Sequence, residues 1–150
     1  MKALKTISIL FACCITISVF GVTQSNEKTL KRERIETIRE YLQSLSGVDS
    51  RKINLLFEAN GTVISTSKGE IDEKSFFNGF LSDLTSASVK NTYIYQAIND
   101  ENHYGGRFNF SWVEKNGTSS GGTYMDDFIF VNGSKKLEKV IMFENKQLKP

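Results

Sequence analysis

The chain has 150 residues, 39% hydrophobic and 24% charged, with one proline and eleven glycines. This length and balance fit one domain around one core, and they exclude a collagen, a disordered tail and a multi-pass membrane protein. The formal net charge is only +2, and no long basic run survives, since Glu33 interrupts Lys31-Arg32-Glu33-Arg34. Nucleic-acid binding, which needs a basic face to neutralise phosphates, is therefore not expected.

The N-terminus carries Lys2 and Lys5, then a mostly apolar run from Ile7 to Val22, then Thr23-Gln24-Ser25-Asn26. A basic head, an apolar middle and a small-residue exit make a secretory signal peptide. Residues 1–24 are read as the leader, with cleavage between Gly21 and Asn26, and 25–150 as a single exported domain. The location is secreted or periplasmic. As a membrane span the run is short of the ~20 apolar residues required, and no stable span is expected after cleavage. Leu10-Phe11-Ala12-Cys13 loosely resembles a lipobox, so a lipoprotein anchored at Cys13 is the alternative. Cys13 and Cys14 are the only cysteines, which leaves the exported domain with no disulfide, thiol nucleophile or cysteine metal ligand. Of the 19 basic residues, Lys2 and Lys5 leave with the leader, and 17 remain against 17 acids.

Residues 27–45 read as a helix, because Ile35, Ile38, Leu42 and Leu45 recur at three- and four-residue steps with Tyr41 beside them. Arg34, Glu36, Arg39 and Glu40 form its wet side. Gly47 ends it, and Asp49 or Ser50 caps a short second helix reaching Phe57. Asn60-Gly61 is a turn signal, followed by a strand from Thr62 to Thr66 and a short partner at Gly69-Glu70-Ile71. Asp72 caps a third helix with Phe76, Phe77, Phe80, Leu81 and Leu84 on one face, ending at Ser86 to Ser88. Four strands follow: Val89 to Ile98, His103 to Glu114, Thr123 to Val131 and Leu137 to Phe143. Asn116-Gly117 and Asn132-Gly133 turn the chain between them. Short turns force antiparallel pairing, and helices early with strands late imply an α+β layer, helices on one face of a curved sheet.

The strands carry apolar residues on both faces. Tyr93 and Tyr95 oppose Ile94 and Ile98, and Phe128 and Phe130 oppose Ile129 and Val131. Either a second copy of the chain covers the outer face, giving a homodimer, or these are simply the aromatic and β-branched residues that strands favour.

Ile38-Arg39-Glu40-Tyr41-Leu42, Leu55-Leu56-Phe57 with Asn60-Gly61-Thr62-Val63, Phe76-Phe77 and Tyr124-Met125-Asp126-Asp127-Phe128-Ile129-Phe130 together resemble the nuclear transport factor 2-like superfamily. Within it, they resemble the SnoaL-like and ketosteroid-isomerase-like proteins. The resemblance spans about Ile35 to Glu144. It implies a cystatin-like cone: an α+β fold with a curved antiparallel sheet and three N-terminal helices packed on its concave face, enclosing an apolar cavity. In the isomerase-like members a tyrosine of the first helix and a protonated acid of a late strand bind an oxyanion, and a second acid after the first strand moves the proton. Tyr41 matches the tyrosine and Asp126 the oxyanion-binding acid. The proton-moving acid would fall at about Ser65, where no carboxylate stands; Glu70 lies several residues on. A hydroxyl of ordinary acidity does not replace a carboxylate base near neutral pH.

The residues themselves leave alternatives. Tyr41 is either a core tyrosine with a rim hydroxyl or a cavity donor. Asp126, in phase with Tyr124, Phe128 and Phe130, is either a neutral buried acid or an acid at a solvated mouth. Asp127 faces the other way, since strand side chains alternate. Trp112 lines the pocket or plugs the core. His103, the single histidine, sits at a strand end, and one histidine without cysteines supports neither a triad nor a metal site. Cavity candidates are thus Tyr41, Trp112, Tyr124, Asp126 and Phe128, with no cofactor or metal expected. The leading expectation is a non-catalytic binder of a small apolar molecule or a partner protein. An isomerase, cyclase or dehydratase using Tyr41 and Asp126 is the alternative, and a structural assembly subunit the third.

Overall fold

The computed structural model describes residues 16–145. Residues 1–15, with most of the expected leader and both cysteines, lie outside them. The expected cleavage window, Gly21 to Asn26, falls within the first helix, α1 (Thr16–Ser46). No helix among the described residues is long and apolar enough to cross a membrane.

The helical stripe of α1 faces the core, with Ile38, Tyr41, Leu42 and Leu45 buried. Arg34 does not lie on a wet side. It is 1% exposed, because one turn before Ile38 it shares the inward face. Its guanidinium donates to the carbonyls of Glu101 (2.8 Å), Ser134 (2.9 Å) and Val131 (3.1 Å) and to Asn102 Oδ1 (2.8 Å). A buried cation is tolerated where its donors are satisfied, and Arg34 thereby ties α1 to two loops of the sheet. The helix ends at Ser46, directly before Gly47 as expected, but the left-handed residue of the stop is the one after the glycine. Val48 takes the left-handed conformation (φ 55°), Asp49 N–H donates to Ser44 O and Val48 N–H to Leu45 O, the pattern of a Schellman stop.

Helix α2 (Ser50–Asn54) is capped by Asp49, whose carboxylate accepts from Lys52 N–H. Strand β1 (Phe57–Ser65) continues through Asn60-Gly61, with a bulge against its neighbour between Phe57 and Thr62, so this pair does not reverse the chain. Gly61 is required by contact instead: a Cβ there would come within 2.7 Å of the Phe57 ring. Strand β2 (Gly69–Asp72) pairs antiparallel with β1. Asp72 then caps α3 (Glu73–Ser82), accepting from Ser75 N–H at 2.9 Å. The helix stops before Leu84, and Ser86 to Ser88 belong to a strand, because Lys115 N–H takes the Asp83 carbonyl and sheet pairing starts there.

The remaining strands are β3 (Leu84–Gln96), β4 (His103–Glu114), β5 (Ser119–Phe130) and β6 (Leu137–Asn145). The sheet order is β2-β1-β6-β5-β4-β3. The α+β layer is present, but the sheet is mixed and not wholly antiparallel: β6 lies parallel to β1. A parallel neighbour needs a long crossover, and here α3 and the whole meander supply it. The helices cover one face, where Tyr41 of α1 meets Phe77 of α3 (5.7 Å) and Phe128 of β5 (5.2 Å) edge-on. Each fully buried ring of this kind contributes about 1.5–3 kcal/mol by leaving water. The other face is open, with Tyr93, Arg107, Met125 and Phe143 successive neighbours across four strands. Tyr93, Tyr95, Met125 and Phe143 are all exposed there.

Candidate functional site

Between α1, α3 and the inner sheet face lies a cavity of about 250 Å³. Aromatic rings make most of its wall. Phe76, Phe77 and Phe80 come from α3, whose apolar face looks inward, and Phe108, Phe110 and Tyr124 come from inward positions of β4 and β5. Trp112, the only tryptophan, lines the cavity without filling it. Its ring packs edge-on to Phe80 (5.6 Å) and obliquely over Phe110 (5.0 Å), and its indole N–H is buried without a partner.

Two polar side chains meet at this wall. Tyr41 and Asp126 both line the cavity and both are buried. Asp126 stands opposite Gly106 on β4, whose missing side chain leaves room beside the carboxyl for the Phe128 ring. The Tyr41 hydroxyl donates to Asp126 Oδ2 over 3.4 Å, a long bond. Asp126 Oδ1 is buried and has no hydrogen-bond partner among the described residues. Burial among the rings pushes the Asp126 carboxyl up to about 8, against a weaker opposite pull from the Tyr41 hydrogen bond. Burial and the adjacent carboxyl raise the Tyr41 phenol well above its usual value. At neutral pH the arrangement is therefore an uncharged acid held by a neutral phenol. With Tyr41 donating to Oδ2, the acid proton belongs on Oδ1, the oxygen left without a partner.

Of the residues singled out from sequence, Tyr41, Trp112, Tyr124 and Asp126 come together around this cavity. Phe128 does not line it. It is fully buried behind Tyr41, whose ring stands between it and Phe77. Ser65 does line the cavity, with Thr66, Ser67 and Lys68 of the β1–β2 turn and Ser120 of β5. Among the described residues, Asp126 is the one carboxylate of the lining. Glu70 is directed elsewhere: it accepts from Thr62 (3.1 Å) and pairs with Lys139 (2.8 Å), which holds its carboxyl below the usual range. Asp127 faces the outer side opposite Gly105 and Ile141, and His103 pairs through Nδ1 with Asp100 (2.7 Å) at the start of β4. Neither lines the cavity. The sequence carries no sign of Lys68, which periodicity does not mark because it sits in a turn, and the α3 phenylalanines, read from it as one apolar helix face, are not among the cavity candidates it points to.

No protein-family model and no curated protein matches the chain. Solved structures do. A protein from Catenulispora acidiphila with a ketosteroid isomerase-like fold, in complex with trimethylamine, is 14% identical with a TM-score of 0.61, over 74% of this chain and 86% of that one. A nuclear transport factor 2-like superfamily protein from Salmonella enterica serovar Typhimurium is 19% identical with a TM-score of 0.61, over 81% and 95%. A pinacolase from Penicillium brevicompactum is 10% identical with a TM-score of 0.66, over 77% and 88%. At these identities the likeness is one of fold, and the chain has the nuclear transport factor 2-like cone fold.

Proposed function

We propose that the cavity binds a small, mainly aromatic or alicyclic molecule through one carbonyl or enol oxygen, which accepts a hydrogen bond from the neutral Asp126 carboxyl. The carrying observation is Asp126 Oδ1: a buried oxygen with no partner among the described residues, in a wall made mostly of rings. An unpartnered buried polar group costs about 1–3 kcal/mol, and a ligand oxygen would recover that cost. The rings supply apolar contact and Trp112 N–H a second donor.

This reading takes the chain as a binder first, because the position near Ser65 offers no base. Its N-terminal composition supports export, and the exposed rings of the outer sheet face support pairing of two copies. An enzymatic reading of the isomerase, cyclase or dehydratase kind has one observation in its favour: a carboxyl moved to about 8 is matched to proton transfer near neutrality. Asp126 would then donate to a developing oxyanion while the substrate or water carries the other proton.

The test is calorimetric titration with 1-indanone and, as control, indane. The ketone should bind about 3- to 10-fold more tightly, the worth of one hydrogen bond. Asp126→Asn should keep that preference, since an amide still donates, and Asp126→Ala should abolish it. Absence of binding by either compound, or a preference that survives Asp126→Ala, would contradict the reading.

A further inference from the structure

The turn between β1 and β2 brings a single cation to the cavity lining. Lys68 lines it together with Ser65, Thr66 and Ser67, and Ser120 adds a hydroxyl from β5. The turn is fixed locally, with Lys68 N–H donating to Ser65 Oγ at 3.1 Å. The ammonium group lies 5.9 Å from the centre of the Phe76 ring, and Phe76 is itself part of the wall. Among the described residues no ion pair includes Lys68. Asp83 and Glu114 border a neighbouring surface groove that Lys68 also touches, and neither belongs to the cavity lining.

The lining therefore has polarity in two places. Asp126 and Tyr41 hold an uncharged hydrogen-bonding pair against the rings, and Lys68 with the hydroxyls holds a positive one. With Asp126 neutral, Lys68 carries the only formal charge of the lining among the described residues, so an anion within the cavity meets a net attraction. A fully apolar ligand would leave the cation and the hydroxyls unused, and a cationic one would be repelled.

We propose that Lys68 reads an anionic group, and that the ligand is a small aromatic or alicyclic carbonyl compound bearing a carboxylate in addition to the Asp126-bound oxygen. This rests on the cavity reading above and adds the ligand's charge to it. The ammonium supplies the charge-assisted hydrogen bond, and the serine and threonine hydroxyls complete the carboxylate's shell.

The experiment compares 4-acetylbenzoate with 4-acetylbenzamide, which share ring and ketone and differ in charge, by calorimetry at low and high salt. The carboxylate should bind about 3- to 10-fold more tightly at low salt, the range of a partly screened charged contact. The preference should shrink as salt rises, vanish in Lys68→Met and persist in Lys68→Arg. Equal binding of the two compounds by the unaltered protein would overturn the anionic class and leave the cavity reading standing. A preference that survives Lys68→Met would overturn the role of Lys68. Failure of both compounds to bind would overturn the two readings together.

Discussion

Replacing Asp126 by Asn should leave stability at acid pH little changed and raise it progressively as pH climbs towards 8. The carboxyl titrates near 3.8 when the chain is unfolded and is pushed up to about 8 by burial. At pH 3 both states are protonated and the group contributes no pH dependence. Between about 4 and 8 the unfolded chain releases a proton that the folded chain keeps, so stability falls as pH rises. Each pKa unit corresponds to about 1.4 kcal/mol, so the interval amounts to roughly 6 kcal/mol, on the order of a small domain's whole stability of ~5–15 kcal/mol. Asparagine has the same shape and does not titrate. Urea unfolding of both proteins at pH 4.5, 6, 7.5 and 9 should show Asp126→Asn gaining on the unaltered protein by about 1.4 kcal/mol per pH unit at mid-range, levelling above pH 8. Every other titrating group cancels in the difference except Tyr41, which stays protonated throughout. Parallel stability curves for the two proteins would refute a neutral buried carboxyl.

Gly61→Ala should cost about 1–3 kcal/mol, because its Cβ would stand 2.7 Å from the Phe57 ring and 2.8 Å from the Phe57 Cβ; thermal unfolding reads this. Arg34→Met should cost about 2–4 kcal/mol by leaving buried carbonyls of two loops without a donor, measured by urea unfolding, with Arg34→Lys recovering only part. Pairing through the outer sheet face predicts a dimer in native mass spectrometry, converted to monomer by charge at the exposed rings, as in Tyr93→Lys with Phe143→Glu. A monomer at all concentrations would remove that pairing.

Much of the inner layer was legible because periodicity is a local signal. The stripe Ile38, Tyr41, Leu42, Leu45 and the strand His103 to Glu114 both follow from residue spacing, and both lie where that spacing puts them. Asp126 stood out for the same reason, as one acid in phase with a row of rings. What failed was decided by partners far along the chain. Arg34 resembles a surface arginine until acceptors 67 to 100 residues away enclose it. Asn60-Gly61 carries a turn signature, yet it lies at a bulge within β1, a strand held by pairing with β2 and the distant β6. Phe128 shares a strand face with Asp126 but falls under α1, so the tyrosine ring closes it off. Glu73 follows a capping aspartate, where an acid is ordinarily solvated, yet it is buried, and burial raises its carboxyl. The parallel pairing of β1 and β6 also has no local signature, since nothing in either strand encodes which distant edge it joins.

The central claim is that Asp126 sits uncharged in the cavity at neutral pH, ready to donate. Carbon-13 NMR of carboxyl-labelled aspartate, with the Asp126 signal assigned by its loss in Asp126→Asn, measures this directly across pH 4 to 10. The account predicts one aspartate signal that keeps its protonated shift through pH 7, titrates near 8, and stays protonated to higher pH when a ketone such as 1-indanone is bound. An Asp126 signal already ionised at pH 6, unmoved by the ketone, would contradict it.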